Sequence, residues 1–270
     1  MTFPGKYLEI CRLLTLGEKA GIFSFRVELG TMSAYWIQPW VLAWGGMMMK
    51  DVKPVAVETR EEIFPLTGRE VKLLVVKDIE ALVTNPDDED NIPYWADIWP
   101  ASRIMASYIW EEMEFAGEEV LELGAGLGLP GIVAGLKGAK VTFSDYKEDA
   151  LEITLYNAGK NGVKDADTYL GDWRDFRLAK KFDWILGSDI LYNPRLNPFA
   201  EKILLDNLKE EGSLLITHAR RPSTYEALER LKAAGNFGEE VREVAITLED
   251  DYYPNYMISL HRLQRKEKYV

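Results

Sequence analysis

Between residues 122 and 131 the chain reads Glu-Leu-Gly-Ala-Gly-Leu-Gly-Leu-Pro-Gly. Gly126, Gly128 and Gly131 match the spacing G-x-G-x-x-G, which lets a backbone approach a pyrophosphate at the positive end of a helix. That reading expects a neutral site. Glu122 lies two residues ahead of Gly124, and a carboxylate so close to a doubly charged pyrophosphate is repulsive. The same carboxylate suits a ligand that carries an ammonium and a sulfonium group. Three more acids sit in small, turn-like contexts further on: Asp145 in Phe-Ser-Asp-Tyr, Asp172 in Gly-Asp-Trp, and Asp189 in Gly-Ser-Asp-Ile-Leu-Tyr. Each has a plain alternative as a helix cap or turn residue.

These residues need a scaffold that brings them to one edge. Apolar residues at Met105, Ile109 and Met113 mark one face of a helix over 102–115, beginning just after Pro100. Short strands are expected at 120–123, 140–144, 168–170, 183–187 and 213–217, and helices at 129–136, 148–160, 196–208 and 223–234. Such alternation predicts an α/β fold: a Rossmann-like, doubly wound, mostly parallel sheet of seven strands with helices on both faces. Two last strands near 243–248 and 257–263 have no helix between them, so they form a C-terminal hairpin with one strand antiparallel to its neighbours. Ahead of this series, Val55–Thr59 and Val71–Val76, separated by Pro65 and Gly68, read as a small N-terminal β arm. The acidic loop 85–91 is the expected boundary.

In this context the loop resembles the first motif of the class I, seven-strand S-adenosylmethionine-dependent methyltransferases, E-x-G-x-G-x-G, with Glu122, Gly124, Gly126 and Gly128 all in place. The resemblance extends over most of 94–263. It implies that Asp145 binds the ribose hydroxyls of S-adenosylmethionine, that Asp172 meets the adenine amino group, and that Trp173 lies beside the ring. Gly187-Ser-Asp-Ile-Leu-Tyr192 is similar to the D-x-x-Y signature of the protein-lysine methyltransferase branch, the methyltransferase family 16-like proteins. By that likeness Ser188 belongs to the cofactor site, and Asp189 and Tyr192 stand at the mouth where donor and acceptor meet. The lead-in Pro93-Tyr-Trp-Ala-Asp-Ile-Trp-Pro100 is also similar to that branch, so Trp99, with Trp95, is expected to wall the cofactor. His218 reads as structural, and Arg220 and Arg221 as solvated.

The implied chemistry is an in-line displacement from an already activated sulfonium, which needs alignment and no metal. Asp189 is expected to accept a hydrogen bond from the incoming amine, with Tyr192 packed around it. The amino-directed reading has a protein lysine first and a small amine second. An Asn/Asp-Pro-Pro-Tyr motif, which marks enzymes acting on bases and amides, is absent at the fourth strand of the series. A nicotinamide-dependent oxidoreductase remains an alternative that explains the glycines and Asp145 but leaves Glu122 and the terminal hairpin unexplained.

Composition limits the partners. The 270 residues carry a formal charge of −12 and are 47% apolar, which argues against broad binding to nucleic acid or an anionic membrane face and favours a basic partner. One cysteine, Cys11, and two histidines leave no disulfide and no metal cluster of the usual kind, and fit a reducing cytoplasm. Residues 1–48 read as an extension, 49–92 as the β arm and linker, and 93–270 as the methyltransferase domain. The extension holds three of the eight tryptophans and ends in an uncharged run, Thr31–Met49. With Gln38, Pro39 and two glycines that run makes a poor membrane span, and its place in the chain does not fit a signal peptide. An arm packed on the domain or on a partner, or a leader ahead of a start at Met47, Met48 or Met49, is the remaining expectation.

Overall fold

The computed structural model describes residues 57–85, 92–248 and 254–266, all within the unit Met47–Val270. The extension before residue 49, with its uncharged run and its candidate start sites, lies outside the described residues, as does most of the acidic loop before residue 92. No described helix is long and apolar enough to cross a membrane.

Two antiparallel strands come first, β1 (Thr59–Leu66) and β2 (Arg69–Val76). The main sheet follows, and its elements in order are α1 (Pro100–Glu112), β3 (Glu119–Leu123), α2 (Leu129–Leu136), β4 (Lys140–Asp145), α3 (Glu148–Lys160), β5 (Asp167–Leu170), β6 (Phe182–Ser188), α4 (Asn197–Asp206), β7 (Leu208–His218), α5 (Pro222–Gly235), β8 (Phe237–Thr247) and β9 (Asn255–Arg265). The seven strands pair in the order β5-β4-β3-β6-β7-β9-β8. Only β9 runs against the others, since it is antiparallel to both β7 and β8. This is the doubly wound, mostly parallel sheet with a C-terminal hairpin that the strand–helix alternation implies.

Two apolar layers hold the sheet. Met105 and Ile109 of α1, Ile132 and Val133 of α2, and Leu151 and Ile153 of α3 are buried against one face. Ala200, Ile203 and Leu204 of α4 and Ala227, Leu228 and Leu231 of α5 are buried against the other. Side chains of these sizes contribute about 1.5–3 kcal/mol each when fully buried, so the sheet is clamped from both sides. The order reverses beside β3, where β4 lies on one flank and β6 on the other. Ligands of open α/β sheets bind at that reversal, outside the carboxyl ends of the strands.

The β arm departs from expectation. Its first strand is β1, sharing only Thr59 with the run Val55–Thr59, and Pro65 lies inside the strand opposite Glu70. The turn that sets this register is Thr67-Gly68, with Gly68 at φ 74°, a conformation glycine adopts freely. Proline is tolerated because β1 has a partner on one flank only. The arm is fastened to α3 by two asparagines one turn apart. Asn157 accepts from Leu74 N at 2.6 Å and donates to Leu74 O at 3.2 Å. Asn161 does the same with Lys72, at 2.9 and 2.8 Å. These side-chain amides stand in for the backbone of a third strand along β2. Asn157 also donates to Leu127 O at 3.2 Å, which ties the arm to the glycine loop.

The strands β7, β8 and β9 are longer than their apolar runs. Lys209, Glu210 and Glu211 open β7, and β8 carries Glu239, Glu240, Arg242 and Glu243 with much of its length exposed at the sheet edge. Backbone pairing continues there after the apolar signal has ended.

Candidate active site

A cavity of about 740 Å³ opens at the carboxyl ends of β3, β4 and β6. Its floor is the glycine loop. Gly128 caps α2 with φ 79°, and a Cβ there would stand 2.6 Å from Thr154 Cγ2. Thr154 in turn donates to Gly126 O at 2.7 Å, so α3 holds the loop from outside. Gly131 lies where α2 crosses the sheet, and a Cβ on it would meet both Glu122 Oε2 and Phe143 Cε1 at 2.5 Å. A side chain at Gly131 displaces α2 from the sheet, and one at Gly128 pushes against Thr154 of α3.

The loop's amide groups are largely in use. Ala125 N donates to Ser144 O at 2.9 Å, Gly126 N to Asp145 Oδ2 at 3.0 Å, and Gly128 N to Ala125 O at 2.8 Å. Gly131 N donates to Glu122 Oε2 at 2.8 Å, and Pro130 has no N–H to give. A pyrophosphate loop offers such amides to its ligand. Here two of them are taken by the protein's own carboxylates and two by backbone carbonyls, which removes the basis of the nicotinamide reading.

Two of the carboxylates are buried. Glu122 is 2% exposed, and burial pushes its carboxyl up to about 8, aided by the charge of Asp145 and opposed by the Gly131 N–H. Asp145 accepts from Gly126 N and, at 3.1 Å, from Lys147 N. Burial raises its carboxyl too, against the pull of those amides. Glu122 and Asp145 both line the cavity, as do Gly124, Gly126 and Gly128.

On the adjoining wall are Asp172, Trp173 and Ser188. Asp172 caps the short turn Trp173–Asp175 by accepting from Arg174 N at 2.9 Å, and its ion pair with Arg174 holds its carboxyl below the ordinary range. Trp173 is partly buried against the apolar layer under α4 and α5. Ser188 Oγ is buried without a hydrogen-bond partner.

The mouth is built from the loops after β6 and β7 and the entry to α1. Asp189 is left-handed at φ 54°, and its N–H donates to Thr217 O at 2.8 Å. Its Oδ1 is paired with the Arg221 guanidinium, and Ala219 N stands 3.5 Å from the same oxygen. Burial raises the Asp189 carboxyl, and Arg221 opposes the rise. Tyr192, Tyr94 and Trp99 form an aromatic rim. Tyr94 stands 5.8 Å edge-on from Tyr192 and 6.0 Å from Trp99, ring centre to ring centre. Trp99 Nε1 donates to Tyr94 O at 2.7 Å, which fixes the indole.

Every residue that the sequence offered for the cofactor or the acceptor lines this one cavity, while Gly131 lies behind it at the helix–sheet contact. Two that matter were missed. Arg221 is no solvated arginine; it lines the cavity and partners Asp189. Its signal was position, directly after the buried strand β7 and before Pro222. Tyr94 was quoted only as part of the lead-in to α1.

The donor set agrees with one cofactor. Buried carboxylates along the floor, an acid and a tryptophan on the wall and a serine hydroxyl without a partner suit ribose hydroxyls, an adenine amino group and the cationic end of S-adenosylmethionine. They do not suit a phosphate. Fold and cavity together define a class I methyltransferase whose cofactor is S-adenosylmethionine.

Comparison with known proteins narrows the class. A family described as lysine methyltransferase matches residues 81–233, and the chain belongs to that family. Protein-lysine methyltransferase METTL21E of Mus musculus is 26% identical over 238 residues, covering 82% of this chain and 87% of the mouse protein. Histidine protein methyltransferase 1 homolog of Dictyostelium discoideum is 41% identical over 103 residues, 36% of this chain, and the match spans a third (33%) of that protein's length. Among solved structures, the N-methyltransferase NodS of Bradyrhizobium japonicum, in complex with S-adenosyl-L-homocysteine, shares the fold at a TM-score of 0.51 and 16% identity, over 70% of this chain and 97% of that one.

Proposed function

We propose that the protein transfers the methyl group of S-adenosylmethionine to a nitrogen of a protein side chain, with lysine as the acceptor. The observation that carries this is the largely buried carboxylate of Asp189, at the end of β6 away from Asp145, in a cavity that Tyr94, Trp99 and Tyr192 also line. The family description and the near full-length likeness to METTL21E support lysine over the other nitrogens. When bound, the cofactor supplies a methyl group on a sulfonium, whose leaving group is a neutral thioether.

The protein's part is alignment and charge. Asp145 holds the ribose hydroxyls, Asp172 and Trp173 the adenine, and Ser188 gives its hydroxyl to the same ligand. Gly124, Gly126 and Gly128 shape the floor. Glu122 faces the cationic end of the cofactor, and a positive charge there favours release of the proton that burial makes it keep. Trp99 closes the cofactor from the entry side.

Asp189 accepts a hydrogen bond from the incoming neutral amine and orients its lone pair. Arg221 holds that carboxylate in one rotamer and keeps it ionised against burial. Tyr192 and Tyr94 exclude water, which strengthens the Asp189 contact and suits the cation that forms on the amine as the methyl arrives. The chain's charge of −12 favours a basic segment around the acceptor lysine. The lone cysteine suits work in a reducing cytoplasm.

The test is methyl transfer from labelled S-adenosylmethionine into a cell lysate, followed by acid hydrolysis of the labelled protein. Label in methyl-lysine is expected. Label only in methyl-histidine or methyl-arginine contradicts the lysine acceptor while leaving protein methylation intact, and label only in small molecules contradicts both.

A further inference from the structure

The chain has two histidines, and both are buried side by side at the carboxyl end of β7 without lining the cavity. His218 Nε2 lies 3.0 Å from His261 Nε2. The ring planes differ by 18° and the centres are 5.0 Å apart, nearly the greatest separation that a 3.0 Å contact between the two nitrogens permits, so the rings meet end-on and one nitrogen must donate. Arg220 N–H donates to His218 Nδ1 at 3.1 Å. A nitrogen that accepts carries no proton, so neutral His218 is protonated on Nε2 and donates to His261 Nε2. His261 is then protonated on Nδ1 and donates to Glu239 Oε1 at 2.8 Å. Each bond dictates the direction of the next.

The outer end is anchored by Lys232, 2.7 Å from Glu239 Oε2. Burial, with the charges of Arg221 and Arg220 acting the same way, pushes His218 down to about 4, so it stays neutral near pH 7. Tyr225 of α5 packs edge-on to the His218 ring at 4.8 Å. The inner end reaches the mouth of the cavity. Arg220 is left-handed at φ 58°, as Asp189 is at 54°. Such a backbone persists in a non-glycine residue only where its surroundings hold it. On either side of Arg220 stand the two groups that touch Asp189 Oδ1: the Ala219 amide and the Arg221 guanidinium.

We propose that Glu239, His261 and His218 form a positioning chain that holds the 219–221 turn, and through it aims Ala219 and Arg221 at the carboxylate of Asp189. The inference rests on the reading of Asp189 as the acceptor-side carboxylate. None of the three residues touches the reacting atoms; they act through Arg220.

The first test needs no variant. Nitrogen-15 NMR of the whole protein at pH 7 is expected to show His218 protonated on Nε2 and His261 on Nδ1; the opposite tautomers, or a charged His218, overturn the chain. The second compares His218→Leu, which removes the acceptor for Arg220 N–H, with His218→Asn, whose amide oxygen stands near the place of Nδ1. The Asp189 carboxyl carbon, assigned with Asp189→Asn, is expected to titrate at a changed pH in the leucine variant and to return towards wild type in the asparagine variant.

Turnover follows the same pattern, since small misplacements of an aligning group cost on the order of 10- to 100-fold. A kcat loss of that size is expected for His218→Leu, with affinity for S-adenosylmethionine unchanged and most of the loss recovered in His218→Asn. A folded leucine variant with unmoved Asp189 titration overturns the proposal. Moved titration with unchanged kcat upholds the positioning chain and instead removes Asp189 from the reaction. Should His218→Leu not fold, Glu239→Ala tests the chain from its more accessible end: loss of the fixed His261 tautomer and a smaller move of Asp189 in the same direction are expected, and no move in either overturns it.

Discussion

The two ends of the cavity are held by different kinds of bond. At the cofactor end, Glu122 and Asp145 are satisfied by backbone amides, those of Gly126 and Gly131 in the glycine loop and the helix it opens and that of Lys147 just after β4. At the proposed acceptor end, the charged partner of Asp189 is a side chain, Arg221, from the loop after the neighbouring strand, with the Ala219 amide only at the long distance of 3.5 Å. A carboxylate bonded to backbone moves only if the fold moves. One bonded to a side chain can be reoriented by a single rotamer. The cofactor end is thus a property of the fold, and the proposed acceptor end a property of a few replaceable side chains.

Breaking the contrast at its strongest point means giving the floor a side chain. Gly131→Val should abolish cofactor binding and lower the melting temperature, because its Cβ alone meets Phe143 and Glu122 at 2.5 Å. Thermal unfolding with calorimetry reads both, and a stable protein that binds normally would show that the floor is not fixed. Next in size, Asp189→Ala should remove turnover by on the order of 10²-fold or more while leaving cofactor affinity within a few fold. Arg221→Gln should cost less, about tenfold in kcat, with the remaining activity falling further at low pH, because burial then raises the Asp189 carboxyl unopposed. A pH–rate profile unchanged from wild type would mean that Arg221 does not keep Asp189 ionised.

The smallest effect sharpens the cofactor end through pH. Glu122 holds its proton to about 8 in the folded chain, against an ordinary 4.5. Between those values the folded state binds more protons than the unfolded one. Stability therefore falls as pH rises through that window and levels off above it. Glu122→Gln, which keeps an acceptor for Gly131 N–H, should flatten this slope and melt a few degrees higher than wild type at pH 9. Parallel melting curves against pH for the two proteins would contradict the buried, protonated Glu122.

The same difference in bonding decided what could be read from the sequence. The cofactor end lies within short stretches at the ends of apolar strands, so Glu122 and the glycines announced themselves by spacing, and Asp145 and Asp172 followed from the family likeness those residues carry. The acceptor end depends on a pair 32 residues apart, Asp189 and Arg221. Arg220-Arg221-Pro222 looks like any exposed turn until β7 is known to lie beside β6. Asn157 and Asn161 were equally silent, because their i, i+4 spacing marks one face of α3 without telling what covers it. The histidine chain needs three strands in register, β7, β9 and β8, all of them longer than their apolar runs. A mostly parallel sheet with helices on both faces and a closing hairpin was legible, since it follows from alternation; the order of the strands was not. Edge strands were legible only where apolar residues mark them, which is why β1 was expected several residues too early.

Calorimetric titration of the whole protein with S-adenosylmethionine and with NADH, in the wild type and in Asp145→Ala and Asp189→Ala, tests the division of the cavity most directly. The division predicts binding of S-adenosylmethionine and not NADH, a large loss in Asp145→Ala, and affinity within a few fold of wild type in Asp189→Ala. Equal losses in the two variants, or binding of NADH in place of S-adenosylmethionine, would contradict it.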